Sequence, residues 1–334
     1  MKLKNGIISI STTFTAIFSF AANAAFVAVL PSAGAIDQSK TQGYDYISGL
    51  NSGDGSAEIV DKGPCLTRTE LEQMISNNED VSNVNTSCIT DFSFLFSYNS
   101  TFNQDISGWD VSSGTNFMAM FENATAFNSD LSNWNVSNAT KMNYMFYGTS
   151  SFSSDLSNWN VSKVQTFSKM FAFSSFNSDL NGWNVSNVSN FSGMFANATS
   201  FNQDLSNWDV SNGTNFSDMF ENATAFNSDL SGWNVSNATN FLSMFEGATS
   251  FNQDLSKWNV SNAINFEEMF KNANNFISDL SGWDVSKGLY FESMFQGATN
   301  FSSDLSGWFV VFAESWGLFD ENSSLTPEQL PDFR

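Results

Sequence analysis

The side chains of this chain that could do chemistry are almost all carboxylates. One aspartate recurs about every 25 residues, as Asp105, Asp130, Asp155, Asp179, Asp204, Asp229, Asp254, Asp279 and Asp304. If successive repeats stack at the spacing of paired strands, about 4.8 Å, such a row repels itself by roughly 1 kcal/mol per pair even in water. Two arrangements relieve the repulsion. Cations could lie along Asp130, Asp155, Asp179, Asp204, Asp229, Asp254 and Asp279, or each carboxylate could accept backbone N–H groups. Calcium takes roughly six to eight oxygens, and one Asp per repeat beside serines is a thin supply. The backbone arrangement is therefore expected, with no metal and no cofactor.

A second group of acids, Glu267, Glu268 and Glu292, falls late in the chain on variable positions. Glycoside hydrolysis needs two acids about 5 to 10 Å apart in a cleft, which makes a carboxylate hydrolase the remote alternative and leaves no catalytic residue assigned. The chain has no His, which removes Ser-His-Asp and Cys-His catalysis and imidazole metal sites. Cys65 and Cys88 are its only cysteines. In an oxidising compartment they are expected to pair, closing a loop of about 24 residues that chain entropy values at roughly 3 kcal/mol.

The elements that hold these groups are set by a repeat. Tryptophans stand at Trp109, Trp134, Trp159, Trp183, Trp208, Trp233, Trp258, Trp283 and Trp308, 25 residues apart except for a step of 24 between Trp159 and Trp183. The short step coincides with Ala172-Phe173-Ser174-Ser175, where other repeats carry five residues, as a surface loop tolerates. The unit reads W-[ND]-V-S-x(4)-[FM]-x-x-[ML]-F-x-x-A-T-x-F-N-x-D-L-S-x. Nine frames begin at 84, 109, 134, 159, 183, 208, 233, 258 and 283, and a worn partial repeat closes the array. A period of this length means a solenoid.

Within each unit, Trp and Val alternate as on a short strand. Phe117, Met120, Phe121 and Ala124 then follow the i, i+3, i+4, i+7 spacing of a helix face. The expected fold is an α/β repeat solenoid, leucine-rich-repeat-like, with one short strand and one short helix per turn. Trp134, Trp159, Trp183, Trp208, Trp233 and Trp258 are expected in its core. Outward along the strand lie Asp110, Asn135, Asn160, Asn184, Asp209, Asn234, Asn259 and Asp284, followed two residues on by a column of serines. That regular polar row is the candidate binding face.

The units WDVSNGTNFSDMFENATAFNSDLSGW and WNVSNATNFLSMFEGATSFNQDLSKW, beginning at 208 and 233, closely resemble the BspA-like leucine-rich repeats of bacterial surface proteins, including mycoplasmal surface lipoproteins. The resemblance covers residues 84 to about 310, and Leu66 to Leu71 is similar to the short helix that precedes such arrays. It implies a non-enzymatic scaffold for adhesion or protein–protein binding.

Residues 1–35 read as an export signal, with Lys2 and Lys4 ahead of an apolar run and small-residue cleavage sites at Ala22-Asn23-Ala24 and Ala33-Gly34-Ala35. The alternative is an uncleaved N-terminal anchor, the one route by which a membrane enters this reading. Residues 36–64 read as a flexible linker, 65–83 as an N-terminal helical cap, 84–307 as the nine repeats and 308–334 as a C-terminal cap and tail. The 334 residues include 36 Phe and 10 Trp, enough for a large core, and a net charge of −22 offers nucleic acid no basic field. The expected protein is secreted or on the cell surface, with an extracellular protein or glycan as partner. A structural or ice-associating coat is the alternative.

Overall fold

A computed structural model describes residues 62–333 and, ahead of them, the backbone of four short strands. These are β1 (Ile8–Ile10), β2 (Thr15–Phe20), β3 (Ala24–Val29) and β4 (Ala57–Ile59), with β1 antiparallel to β4 and β2 antiparallel to β3. The rest of the expected signal and linker, up to residue 61, lies outside the described residues.

A cap opens the described body. Helix α1 (Arg68–Ser76) begins at Thr67, whose hydroxyl accepts the Glu70 N–H at 3.3 Å while Glu70 Oε2 accepts the Thr67 N–H at 2.7 Å. This reciprocal capping satisfies donors that a helix start otherwise leaves open. The helix buries Leu71 completely. Cys65 and Cys88 form a disulfide across Cα atoms 5.9 Å apart, tying the cap to the first repeat.

Behind the cap, each repeat forms one rung, and successive rungs are joined by parallel bridges through Asn190, Asn215, Asn240, Asn265, Tyr290 and Ser315. Neither the expected strand at Trp-x-Val nor the expected helix forms: among the described residues of the repeats there are only turns and isolated bridges. In the sixth rung the N–H groups of Phe216, Asp218, Phe220 and Asn222 donate forward to the carbonyls of Asn240, Leu242, Met244 and Glu246, at 2.6–2.9 Å. The N–H groups between them turn back within the rung: Met219 to Phe216, Glu221 to Asp218 and Ala223 to Phe220, at 3.0–3.2 Å.

The segment is therefore a chain of overlapping β-turns. Asp218 (φ 57°) and Asn222 (φ 52°) are left-handed, the conformation that the third residue of a type II turn requires and that an α-helix of L-residues excludes. The helical spacing of Phe216, Met219, Phe220 and Ala223 misleads because this run buries the same four side chains. The second left-handed position explains a column of the repeat. It is Asn or Gly at Asn123, Gly148, Asn197, Asn222, Gly247, Asn272 and Gly297, the residues that enter this region most easily.

The core is a set of ring columns running through the stack. All nine repeat tryptophans are buried, and neighbours such as Trp233 and Trp258 lie parallel with centroids 6.4 Å apart. Phe220 stacks on Phe245 at 5.7 Å along the column and on Phe226 at 3.9 Å within its rung. Each indole N–H also crosses a rung boundary, as when Trp208 Nε1 donates to the Leu180 carbonyl at 2.9 Å. The buried donor is satisfied and the two rungs are locked in register. In the short fourth rung, the Ser174 hydroxyl accepts the Phe176 N–H at 3.4 Å. Most full-length rungs make that bond to a carbonyl, as from Phe127 to Ala124.

Stack ends leave groups without a neighbouring rung, and specific residues stand in. The Asp91 and Ser93 carbonyls occupy the places that receive donors from the preceding rung elsewhere. Here Arg68 supplies them, Nη1 to Asp91 at 2.7 Å and Nη2 to Ser93 at 2.5 Å. At the other end a 3-10 turn, Pro327–Gln329, brings the Gln329 carbonyl to the Leu305 N–H at 2.8 Å. The closing rung carries Phe309, Val311 and Phe312 exposed where earlier rungs carry polar turn residues.

Trp208→Ala should cost about 3–5 kcal/mol, read as a lowered urea midpoint; overlay with wild type would place the Trp column outside the core. Arg68→Met keeps an unbranched apolar stem but leaves two carbonyls uncovered, a loss of about 1–3 kcal/mol. Faster amide exchange confined to residues 84–108 would identify that loss, and uniform exchange would rule out an end-capping role.

Candidate interaction surface

In most rungs three polar side chains close turns over their own backbone. In the sixth rung Asp209 Oδ1 accepts the Ser211 N–H at 3.1 Å, Asn215 Oδ1 accepts Ser217 at 3.0 Å, and Asp229 Oδ1 accepts Ser231 at 2.8 Å. Asx turns of this kind fix a corner of the chain with one side-chain oxygen.

The whole Asp row follows this geometry. Asp105, Asp130, Asp155, Asp179, Asp204, Asp229, Asp254, Asp279 and Asp304 each accept the N–H two residues on, at 2.8–3.0 Å. Several gain a donor from the next rung: the Ser154 hydroxyl reaches Asp130 at 3.1 Å and the Ser303 hydroxyl reaches Asp279 at 2.9 Å. Ser154 Oγ in turn accepts the Leu131 N–H at 2.8 Å. Hydrogen bonds from Ser132 and Ser281 hold Asp130 and Asp279 below the ordinary carboxylate range, and Asp105, Asp155, Asp229, Asp254 and Asp304 are held down in the same way. Among the described residues no three acidic or cysteine side chains converge as metal ligands.

The candidate binding face consists of the same kind of corner. Oδ1 of Asp110, Asn135, Asn160, Asn184, Asp209, Asn234, Asn259 and Asp284 accepts the N–H of the serine two residues on, at 3.0–3.2 Å. All but Asp110 are exposed, so their remaining polar atoms line one edge of the stack. Beside it runs a ladder that sequence reading did not single out. Asn227 N–H donates to Asn202 Oδ1 and Asn252 N–H to Asn227 Oδ1, both at 2.8 Å. Its one signal in the sequence is the Asn that follows six of the nine loop phenylalanines.

Glu267, Glu268 and Glu292 project from the turn run. Glu268 pairs with Lys271 at 2.6 Å, and Lys271 also reaches Glu246 at 3.1 Å. Concavities of about 420 and 270 Å³ lie at the cap, beside Cys65, Arg68 and Asp91, and against Asn252, Asp254 and Asp279. Neither is lined by Glu267, Glu268 or Glu292. Burial pushes the carboxyls of Asp218, Glu221 and Glu267 upward, and neighbouring acids add to it.

A stack of near-identical rungs defines a tandem-repeat protein. Residues 68–175, 172–249 and 232–326 match the family described as "Mycoplasma protein of unknown function, DUF285", and the chain belongs to it. No curated protein and no solved structure matches the chain. Among the described residues no helix is long and apolar enough to cross a membrane.

The two sets of carboxyls have opposite consequences for stability. Raised folded values at Asp218, Glu221 and Glu267 make their ionised forms a penalty, relieved as pH falls through those values. Lowered values in the Asp row make a contribution that is present above the ordinary 3.8 and lost as pH falls below it. Urea midpoints should therefore rise from neutrality toward the ordinary carboxylate range and drop below it. A steady decline from pH 7 would contradict this balance.

Proposed function

We propose that the protein is a secreted or surface-displayed, non-enzymatic scaffold that recognises an extracellular protein or glycan. In this reading the stack is a solenoid of the leucine-rich-repeat class, related to BspA-like surface proteins, and its length serves to display a surface. The observation that carries the proposal is the division of labour among the columns. Polar residues that recur in most rungs close turns, as Asp204, Asp209 and Asn215 do. Residues that differ between rungs concentrate on the outside of the turn run, where the partly exposed Tyr144, Lys169, Asp218 and Glu268 share one column.

Export fits the disulfide between Cys65 and Cys88, since such bonds persist in oxidising compartments. A rigid frame with a variable face is how repeat proteins present binding surfaces. The test is binding of the purified protein to arrays of extracellular-matrix proteins and glycans, with and without calcium. Saturable, calcium-independent binding to a discrete set of ligands is expected. Absence of binding across both arrays would defeat the proposal and favour a structural or ice-associating coat.

A further inference from the structure

The outside of the turn run changes character along the stack. In the first, third and fourth rungs it carries aromatic rings, with Glu122 of the second rung beside Tyr98: Phe94, Tyr98 and Phe173 are 50%, 71% and 52% exposed. Tyr144 and Tyr147 sit between them, with ring centroids 5.7 Å apart, and Tyr147 lies 5.3 Å from Phe173. Among the described residues most phenylalanines are buried, yet these rings are left out on one face. From the sixth rung onward the same face carries Asp218, Glu221, Glu246, Glu267, Glu268 and Glu292.

The two halves meet at Lys169, which acts as an internal probe of the face. Its ammonium stands 5.9 Å from the Tyr144 ring centroid, within reach of a cation–π contact. Its stem lies over Gly193, where an added Cβ would come within 2.9 Å of Lys169 Cγ. Its charge also acts on Asp218 and Glu221. One lysine thus engages the aromatic half and the acidic half together. Lys271 pairs with Glu246 and Glu268, so Lys169 and Lys271 face six carboxylates. Burial, with neighbouring acids adding to it, pushes the carboxyls of Asp218, Glu221 and Glu267 upward.

Resting on the recognition role proposed above, we infer that this turn-run face is the binding surface and that its partner is an extended, basic segment of polypeptide lying along the stack. Its cations would sit over the tyrosine rings in the first rungs and pair with carboxylates in the later ones. An extended chain suits the geometry because both features run parallel to the stack rather than around a rung.

The test uses the full chain and a fluorescein-labelled peptide of alternating Arg and Gly, followed by anisotropy at near-physiological salt. The variant Asp218→Asn/Glu267→Gln/Glu292→Gln removes three charges that make no ion pair with Lys271, and its melting temperature should equal or exceed that of wild type. It should weaken peptide binding at least tenfold. Tyr144→Leu/Tyr147→Leu should weaken it severalfold with the acids intact. Asp155→Asn/Asp229→Asn/Asp254→Asn removes as many charges from the Asp row, keeps an acceptor for each turn, and should change binding less than twofold.

Equal losses in the two triple variants would reduce the effect to overall charge and overturn the inference. So would no peptide binding, or competition by a neutral chito-oligosaccharide in place of the peptide. If matrix or glycan binding by the protein persists in the turn-run variants, the recognition role stands and this assignment of its surface fails.

Discussion

The structure depends on one hydrogen-bonding constraint: alternate N–H groups of the turn run must find a carbonyl on the next rung, 24 residues further along a full-length repeat, as Phe220 finds Met244. A backbone that sends every second donor forward cannot be a helix, in which each N–H bonds to the carbonyl four residues back. It needs left-handed residues to re-aim its peptide planes, hence the Asn and Gly column. It also needs a fixed repeat length, because an added or lost residue there would shift every later donor. The one shortened rung keeps the run intact through Ser174 and drops its residue just beyond it, between Ser174 and Phe176, where a serine hydroxyl restores the lost turn bond.

From this constraint the other columns follow. Rungs held by axial bonds bring like side chains into contact with like, so rings stack on rings and each indole N–H reaches the same carbonyl one rung earlier. Asparagines join in ladders for the same reason. Carboxylates would suffer from such stacking, and the Asp row avoids the penalty by accepting N–H groups from its own turn and hydroxyls from the next. Where a column's side chains hold nothing together they are free to differ, and most rings and acids of the turn-run face appear there, while Tyr98 and Phe173 stand in the Asn and Gly column itself.

Much of this was legible in the sequence. The Trp spacing located every rung, the inward Trp and Phe columns follow from periodicity and apolar content, and the Asp row's bonding to its own backbone followed from charge repulsion. The local conformation was not legible. Phe216, Met219, Phe220 and Ala223 occupy one side of a helix and one side of a chain of turns alike, and apolar spacing does not separate them. The distinguishing residue is Asn222, whose left-handed φ of 52° a helix excludes. The Trp-x-Val alternation suggested a strand, but its polar partner Asp209 folds back on Ser211 to make a corner. The turn-run face was invisible for a different reason: a consensus highlights what recurs, and this surface consists of what does not.

The central claim, that the turn run bonds along the stack and not along itself, is tested most directly by scalar couplings across hydrogen bonds in isotope-labelled protein. The account predicts a coupling from the Phe220 amide nitrogen to the Met244 carbonyl and from Asp218 to Leu242. Couplings from Phe220 to Phe216 and from Asp218 to Thr214 would mean that a helix forms there, and the axial ladder would be wrong.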